Sequence, residues 1–221
     1  MGADRVPILI ATRSWGKLRE LGEILADFDF EVVDPDAAGI PYNKVEDQIE
    51  VYGTFEENAF AKARYFHNLS GMPALADDSG LIVDALGGAP GVLSKRFSGR
   101  SDLDGFDLDV SNNAKLLREM ERVDRERSAR GEGPAPRSAR YMCVAAYVGT
   151  SGEMCCEGTI EGRVVSTPRG TGGFGYDSYV EVPELGGLTM AEAEWRAKSQ
   201  ASHRGRAFRA LLPALREIGW A

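Results

Sequence analysis

The sequence predicts a mixed α/β fold with a long sheet and a cleft. Three observations point there. Short apolar runs alternate with stretches whose apolar residues recur at helical spacing. Clusters of glycine, proline and acidic residues separate them. No internal repeat of solenoid or propeller length breaks that alternation. The 221 residues, 43% of them apolar and 27% charged, suffice for one large domain or two small ones with real cores.

Residues 6–11 form a short, partly β-branched apolar run and read as a buried strand. A polar turn follows at Thr12-Arg13-Ser14-Trp15-Gly16-Lys17, and then Leu18, Leu21, Leu25 and Phe28 mark a helical stripe. Residues 31–34 suit a second strand, and residues 35–53 a loop rich in Pro, Gly, Asp and Glu. Thr54 and Glu57 have capping-box spacing before a helix with Phe55, Ala59, Ala63 and Phe66 on its apolar face, which Ser70-Gly71 ends. Ala74-Leu75-Ala76 leads to Asp77-Asp78-Ser79-Gly80, read as the end of a strand, after which Leu81-Ile82-Val83 resumes. Residues 86–91 cannot be regular structure, and residues 111–120 are helical in pattern. Residues 124–140 mix charges with Gly and Pro and read as a solvated surface loop. Residues 141–148 are apolar on both faces, as in a central strand, and residues 157–165 pair beside it. A glycine-rich loop at 171–177 precedes a helical C-terminus from Met190, broken near Ser202.

Composition excludes several classes. The longest apolar runs fall far short of the roughly 20 residues a membrane helix needs. The Met-Gly start has no secretory pattern, and Val6 stands where a myristoylation signal has Ser or Thr, so the default location is the cytoplasm. Cys143, Cys155 and Cys156 make a poor disulfide framework, and with only His67 and His203 besides, a structural zinc site has no ligand set. A net charge of −8 argues against nucleic acid as partner but suits a hard divalent cation.

Five places carry candidate chemistry. The turn at residues 12–17 has phosphate-binding logic, with free helix amides, close approach at Gly16, a point charge at Lys17 and hydroxyls on Thr12 and Ser14. It is not a Walker A loop, and Ser14 as a plain cap with Lys17 solvated is the bland alternative. Asp77 and Asp78 point opposite ways, so one can face a cleft and hold Mg²⁺ or a water while the other braces the backbone; an Asx-type turn is the alternative. Among Glu46, Asp47, Glu50, Glu56 and Glu57, Glu57 is occupied as the partner of Thr54, and Glu50 is freer to approach a metal. Asn58 follows with no local requirement for a functional role. Phe174, Gly175, Tyr176 and Asp177 can stack on a base and read its edge, though aromatics in such loops often only pack. Lys198, His203 and Arg204 surround Ser202, a plausible helix cap, and suit an anion or a carbonyl oxygen. The sum is a nucleoside phosphate with Mg²⁺.

On these residues the chain resembles the Ham1-like inosine triphosphate pyrophosphatases, or XTP/dITP diphosphatases. The motifs are ATRSWGKLREL (11–21), GTFEENAFAKAR (53–64), LADDSGLIVDALGGAPGVLSKRFSG (75–99), GTGGFGYDSYV (170–180) and KSQASHRGRA (198–207). The resemblance implies a single domain over 1–221 with 124–137 as a surface loop insertion. It implies an elongated α/β fold of two lobes, a long central mixed sheet flanked by helices, and an active site in the cleft between the lobes. It also implies a homodimer and Mg²⁺-dependent cleavage of ITP, dITP and XTP to the monophosphate and pyrophosphate, which cleanses the nucleotide pool. By motif position Thr12, Arg13, Ser14, Trp15, Gly16 and Lys17 would hold phosphates. Asp78 would be catalytic and bind the metal with Glu50, and Ser79 would touch substrate. Phe174, Gly175, Tyr176 and Asp177 would stack on and read the base, and Lys198, His203 and Arg204 would complete the contacts. Arg13, Ser14 and Trp15 replace a smaller Gly-Asn pattern, Ser178 stands where Pro is usual, and Arg196-Ala197 where acids are usual. A Maf-like pyrophosphatase acting on modified pyrimidine nucleotides and a non-catalytic nucleotide-binding regulator are the rival readings. A comparison of ITP with dTTP and UTP separates the first, and binding without turnover would mark the second.

Overall fold

The structure is a computed structural model that describes residues 6–26, 28 and 30–217. The first five residues, on which the signal and myristoylation readings partly fall, lie outside them. The elements run β1 (Val6–Ile10), α1 (Trp15–Leu25), β2 (Phe30–Val33), α2 (Phe55–Ser70), β3 (Ala74–Val83), α3 (Gly105–Ala129), β4 (Ser138–Gly149), β5 (Gly152–Val164), β6 (Val180–Val182), β7 (Leu188–Thr189), α4 (Trp195–Ala201) and α5 (His203–Glu217). The sheet has seven strands in the order β2-β1-β3-β4-β5-β6-β7. It is mixed: β1 pairs parallel with β2 and β3, while β5, β6 and β7 pair antiparallel. Parallel neighbours need a crossover, which α1 and α2 supply.

Chain contacts divide the protein into two compact units: 1–78 with 143–158 and 202–221, and 79–142 with 159–201. In the first unit the strands bury both faces. Ile8, Ile10 and Leu75 pack with Leu21, Ile24 and Leu25 of α1 and Phe208, Leu211 and Leu212 of α5. Leu9, Ala11, Ala74 and Ala76 pack with Ala63 and Phe66 of α2 on the other face. This two-faced burial is why the sequence reads as continuous apolar runs there. In the second unit Leu81, Val83, Tyr141, Ile160, Val180 and Val182 pack against Leu116 and Met120 of α3.

Several expectations change. Asp77 and Asp78 lie in the middle of β3, not at a strand end. The helix expected at 111–120 runs over Gly105–Ala129, so the first residues of the expected 124–137 loop continue it. Its charged tail is a solvated helix surface on which Arg122 pairs with Glu119 and Glu126 one turn either way. Phe28 falls beyond α1 and its ring lies parallel to Phe30, centroids 6.1 Å apart. The three cysteines are free. No described helix is long and apolar enough to cross a membrane.

Candidate active site

In the first unit, β1 delivers the chain into α1 through Thr12, Arg13 and Ser14. Ser14 occupies the N-cap in extended geometry, yet its hydroxyl makes no capping bond. Its amide instead donates to Thr12 Oγ1 at 3.2 Å. The first-turn amides of α1 have no intrahelical acceptor, so the turn offers an anion a set of N–H donors. Lys17 is not simply solvated: its Nζ lies 3.0 Å from the buried Asp77 carboxylate. Trp15 is 72% exposed, with Arg19 over its ring.

The alternation of β3 sends its two acids to opposite faces. Asp77 shares the face of Leu75, toward α1 and α5. Arg204 Nε donates to it at 3.1 Å, and Arg204 Nη1 reaches Glu20 at 2.5 Å. Ser202 donates to Glu20 at 2.6 Å while accepting the Gly205 amide at 2.9 Å, so it caps α5 as its position suggested. Burial alone would push the Asp77 carboxyl up, but Lys17, Arg204 and Lys62 hold it far below the usual carboxylate range. Glu20 is likewise penalised by burial, and Arg204, His203 and Ser202 carry it below its ordinary value. Arg204 is 2% exposed and bonded to both carboxylates, so it braces this part of the fold. His203 is buried in the first turn of α5, and β5 runs so close that a Cβ at Gly158 would collide with the His203 carbonyl.

Asp78 shares the face of Ala76, toward α2. Asn58, 0% exposed, donates to Asp78 Oδ2 at 2.9 Å and accepts the Tyr52 amide at 2.9 Å. Burial raises the Asp78 carboxyl and the charge of Glu50 raises it further, against Lys62, Lys17 and Asn58. Lys62 pairs with Glu50. The charge of Lys62 is sustained by Glu50, Asp77 and Asp78, which overcome its burial. Two carboxylates that feel each other in a half-dry site are hard oxygen donors of the kind Mg²⁺ takes, so Asp78 and Glu50 fit that ion. No group of three or more His, Cys, Asp or Glu ligands occurs among the described residues, so the remaining ligands would be water and phosphate oxygens.

Sequence reasoning missed Lys62 and Glu20 and left Asn58 without a task. Asn58 and Lys62 are one helical turn apart, each just before an alanine of the buried stripe, and that is the signal that could have found them. Glu57 is the partner of Thr54 in a modified form: the Thr54 hydroxyl accepts the Glu57 amide at 3.2 Å and itself donates to the Glu57 carboxylate at 2.8 Å.

In the second unit, the glycine-rich loop presents Phe174, 45% exposed, and hides Tyr176, 5% exposed. Tyr176 packs in the core and donates to the Ser94 carbonyl at 2.8 Å, so its ring is part of the core. Asp177 Oδ2 accepts the Phe174 amide at 2.9 Å and Lys198 Nζ at 2.5 Å, and Lys198 sits 5.6 Å from the Phe174 ring centroid. Gly173 has a φ of 78° and a Cβ there would collide with Asp177 and Lys198, so only glycine serves. Asp109 and Asn113 of α3 take the Gly175 amide and carbonyl at 2.7 and 2.8 Å. Ser79, next after Asp78 on β3, is half-buried.

A mixed α/β sheet, an anion-ready helix start and a carboxylate pair beside a lysine define a phosphate-handling class of protein. The model described as the Ham1 family matches residues 8–214, and the chain belongs to that family. It is 44% identical over 216 residues to a dITP/XTP pyrophosphatase of Geobacter sulfurreducens, covering 96% of each. It is 40% identical over 213 residues to that of Escherichia coli, covering 95% of this chain and 98% of the relative. A Ham1 protein of Coxiella burnetii has the same fold, with a TM-score of 0.79, 34% identity and coverage of 96% of this chain and 99% of that one. Family membership sets the Maf-like reading aside.

Proposed function

We propose that this Ham1-family protein hydrolyses dITP, XTP and ITP between the α- and β-phosphates, releasing the nucleoside monophosphate and pyrophosphate. The observation that carries the reading is Asp78, pinned by a fully buried Asn58 in the field of the Glu50–Lys62 pair. Mg²⁺ bound by Asp78 and Glu50 would supply charge neutralisation at the reacting phosphate. The helix-start amides at residues 15–17 and Lys17 would hold the phosphate chain. Asp78, fixed by Asn58, would orient the attacking water and take up its proton. Phosphoryl transfer of this kind asks for positioning and charge compensation more than covalent chemistry. Phe174 would stack on the base, with Lys198 and Asp177 at its edge. A donor aimed at O6 rejects adenine, whose amino group would leave that donor unpaired. The reading extends to a cytoplasmic homodimer with no nucleic-acid or membrane partner; the exposed Phe106 and Val110, one turn apart on α3, support a second copy.

The test is a panel of nucleoside triphosphates assayed for pyrophosphate with and without Mg²⁺. The expected result is Mg²⁺-dependent release from dITP, XTP and ITP and little from ATP. Release of single phosphate, or equal rates on dTTP and UTP, would overturn the assignment.

A further inference from the structure

We infer that Arg13 is a positioning residue, which acts through Glu46 to hold the loop that brings Glu50 to Asp78, and does not bind phosphate. The inference rests on the metal site proposed above.

The guanidinium is already committed. Nε and Nη2 grip Glu46 at 2.7 and 2.9 Å, Nη1 reaches Asp36 at 2.6 Å, and Nη2 also donates to the Ile40 carbonyl at 2.9 Å. Its charge is met by two carboxylates, which leaves little attraction for a phosphate. A two-pronged grip of this kind also fixes orientation, which a lysine cannot do.

Glu46 passes the constraint on. It accepts the Asn43 amide at 3.1 Å and completes a capping box on the short helix Lys44–Gln48. The Ile49 amide closes on the Glu46 carbonyl at 3.4 Å, and Glu50 follows directly. At the far end of this stretch Glu50 pairs with Lys62, and Asn58 bonds the Tyr52 amide and carbonyl; the near end has fewer anchors. Ile40 is its buried apolar contact, and of residues 41–48 all but Glu46 are exposed. An exposed loop of this length loses considerable backbone freedom when ordered, roughly 1 kcal/mol or more per residue. The Arg13 grip therefore orders the near end of the loop, from which Glu50 reaches Lys62.

The test compares Arg13→Ala, Arg13→Lys, Glu46→Gln and the Arg13→Ala/Glu46→Gln double variant with the parent protein. Mn²⁺ binding is measured alone by calorimetry, and Mg²⁺ activation is measured at saturating dITP. Partners behind a metal ligand typically cost 10–100-fold when removed. Arg13→Ala and Glu46→Gln should each weaken Mn²⁺ binding about tenfold and raise half-activating Mg²⁺ alike. The double variant should be no worse than either, because both cut one connection. At saturating Mg²⁺, kcat should return to within threefold of the parent and KM for dITP should hold, while Arg13→Lys rescues only in part. Unchanged metal curves with a raised KM would make Arg13 a phosphate ligand and overturn the inference. A lowered melting temperature with metal affinity intact would overturn it too. If the parent fails to turn over dITP, the functional reading falls, and the Mn²⁺ arm still decides the role of Arg13.

Discussion

Asp77 and Asp78 are consecutive residues of one buried strand, and their surroundings are opposite. On the α1 and α5 face, Asp77 meets Lys17 and Arg204, and they favour its charge. On the α2 face, Asp78 accepts from the Asn58 amide, and burial and the charge of Glu50 outweigh Lys62 and Lys17 to raise its carboxyl. The strand places them alike; the helices opposite decide their roles. On this reading the more strongly compensated acid braces the fold, and the one whose charge burial and Glu50 oppose is the proposed seat of chemistry. A group whose charge the protein only partly satisfies is where a cation or a reacting proton finds a use.

The largest expected effect breaks the second face. Asp78→Asn keeps the shape and one acceptor but loses the base and a metal ligand, so pyrophosphate release should fall about 10³-fold. Circular dichroism and melting temperature should stay near the parent's. Asp77→Asn breaks the first face. It leaves Arg204 and Lys17 facing an uncharged amide in a buried place, and should cost about 3 kcal/mol in denaturant unfolding. A cost below about 1 kcal/mol would mean that the network is no brace.

The same contrast recurs in miniature two residues apart in the glycine-rich loop. Phe174→Ala should raise KM for dITP about tenfold, the loss of one stacked base. Tyr176→Phe should leave KM within threefold and cost about 1 kcal/mol of stability, because only its bond to Ser94 is lost.

Acid gives the smallest and most gradual effect. Glu20 and Asp77 have lower pKa values folded than unfolded. Their contribution is complete above the unfolded carboxylate range, about pH 4 to 5, and is lost as pH falls through the folded values. Asp78, raised on folding, has the opposite sign: its protonation favours the folded state. Thermal melts from pH 7 to pH 3 should be level down to about pH 5 and fall below it in the parent, and fall less in Glu20→Gln.

Much of this was legible in the residues. The apolar runs of β1 and β4, the stripe of α2 and the break at Ser202 follow from local pattern. What escaped depends on partners far along the chain. A strand carrying two acids looks like a strand end until Lys17 and Arg204, 127 residues from Asp77, are seen to compensate one of them. Arg13 looks like a phosphate ligand until Glu46, 33 residues on, is seen to claim it. The tail of α3 reads as loop because its charges form i,i+4 pairs on a solvated helix rather than an apolar stripe. Tyr176 and Phe174 are both aromatics among glycines, and only the backbone path shows which one turns inward.

The adjacent acids of β3 are proposed to divide structure from chemistry. The direct measurement is kcat for Mg²⁺-dITP and unfolding free energy for Asp77→Asn and Asp78→Asn side by side. A crossed result is expected. Asp78→Asn should be folded and nearly inactive, and Asp77→Asn should be destabilised, with kcat, measured below its melting range, reduced less than tenfold. Asp78→Asn retaining kcat within tenfold of the parent, or Asp77→Asn proving fully stable and inactive, would contradict it.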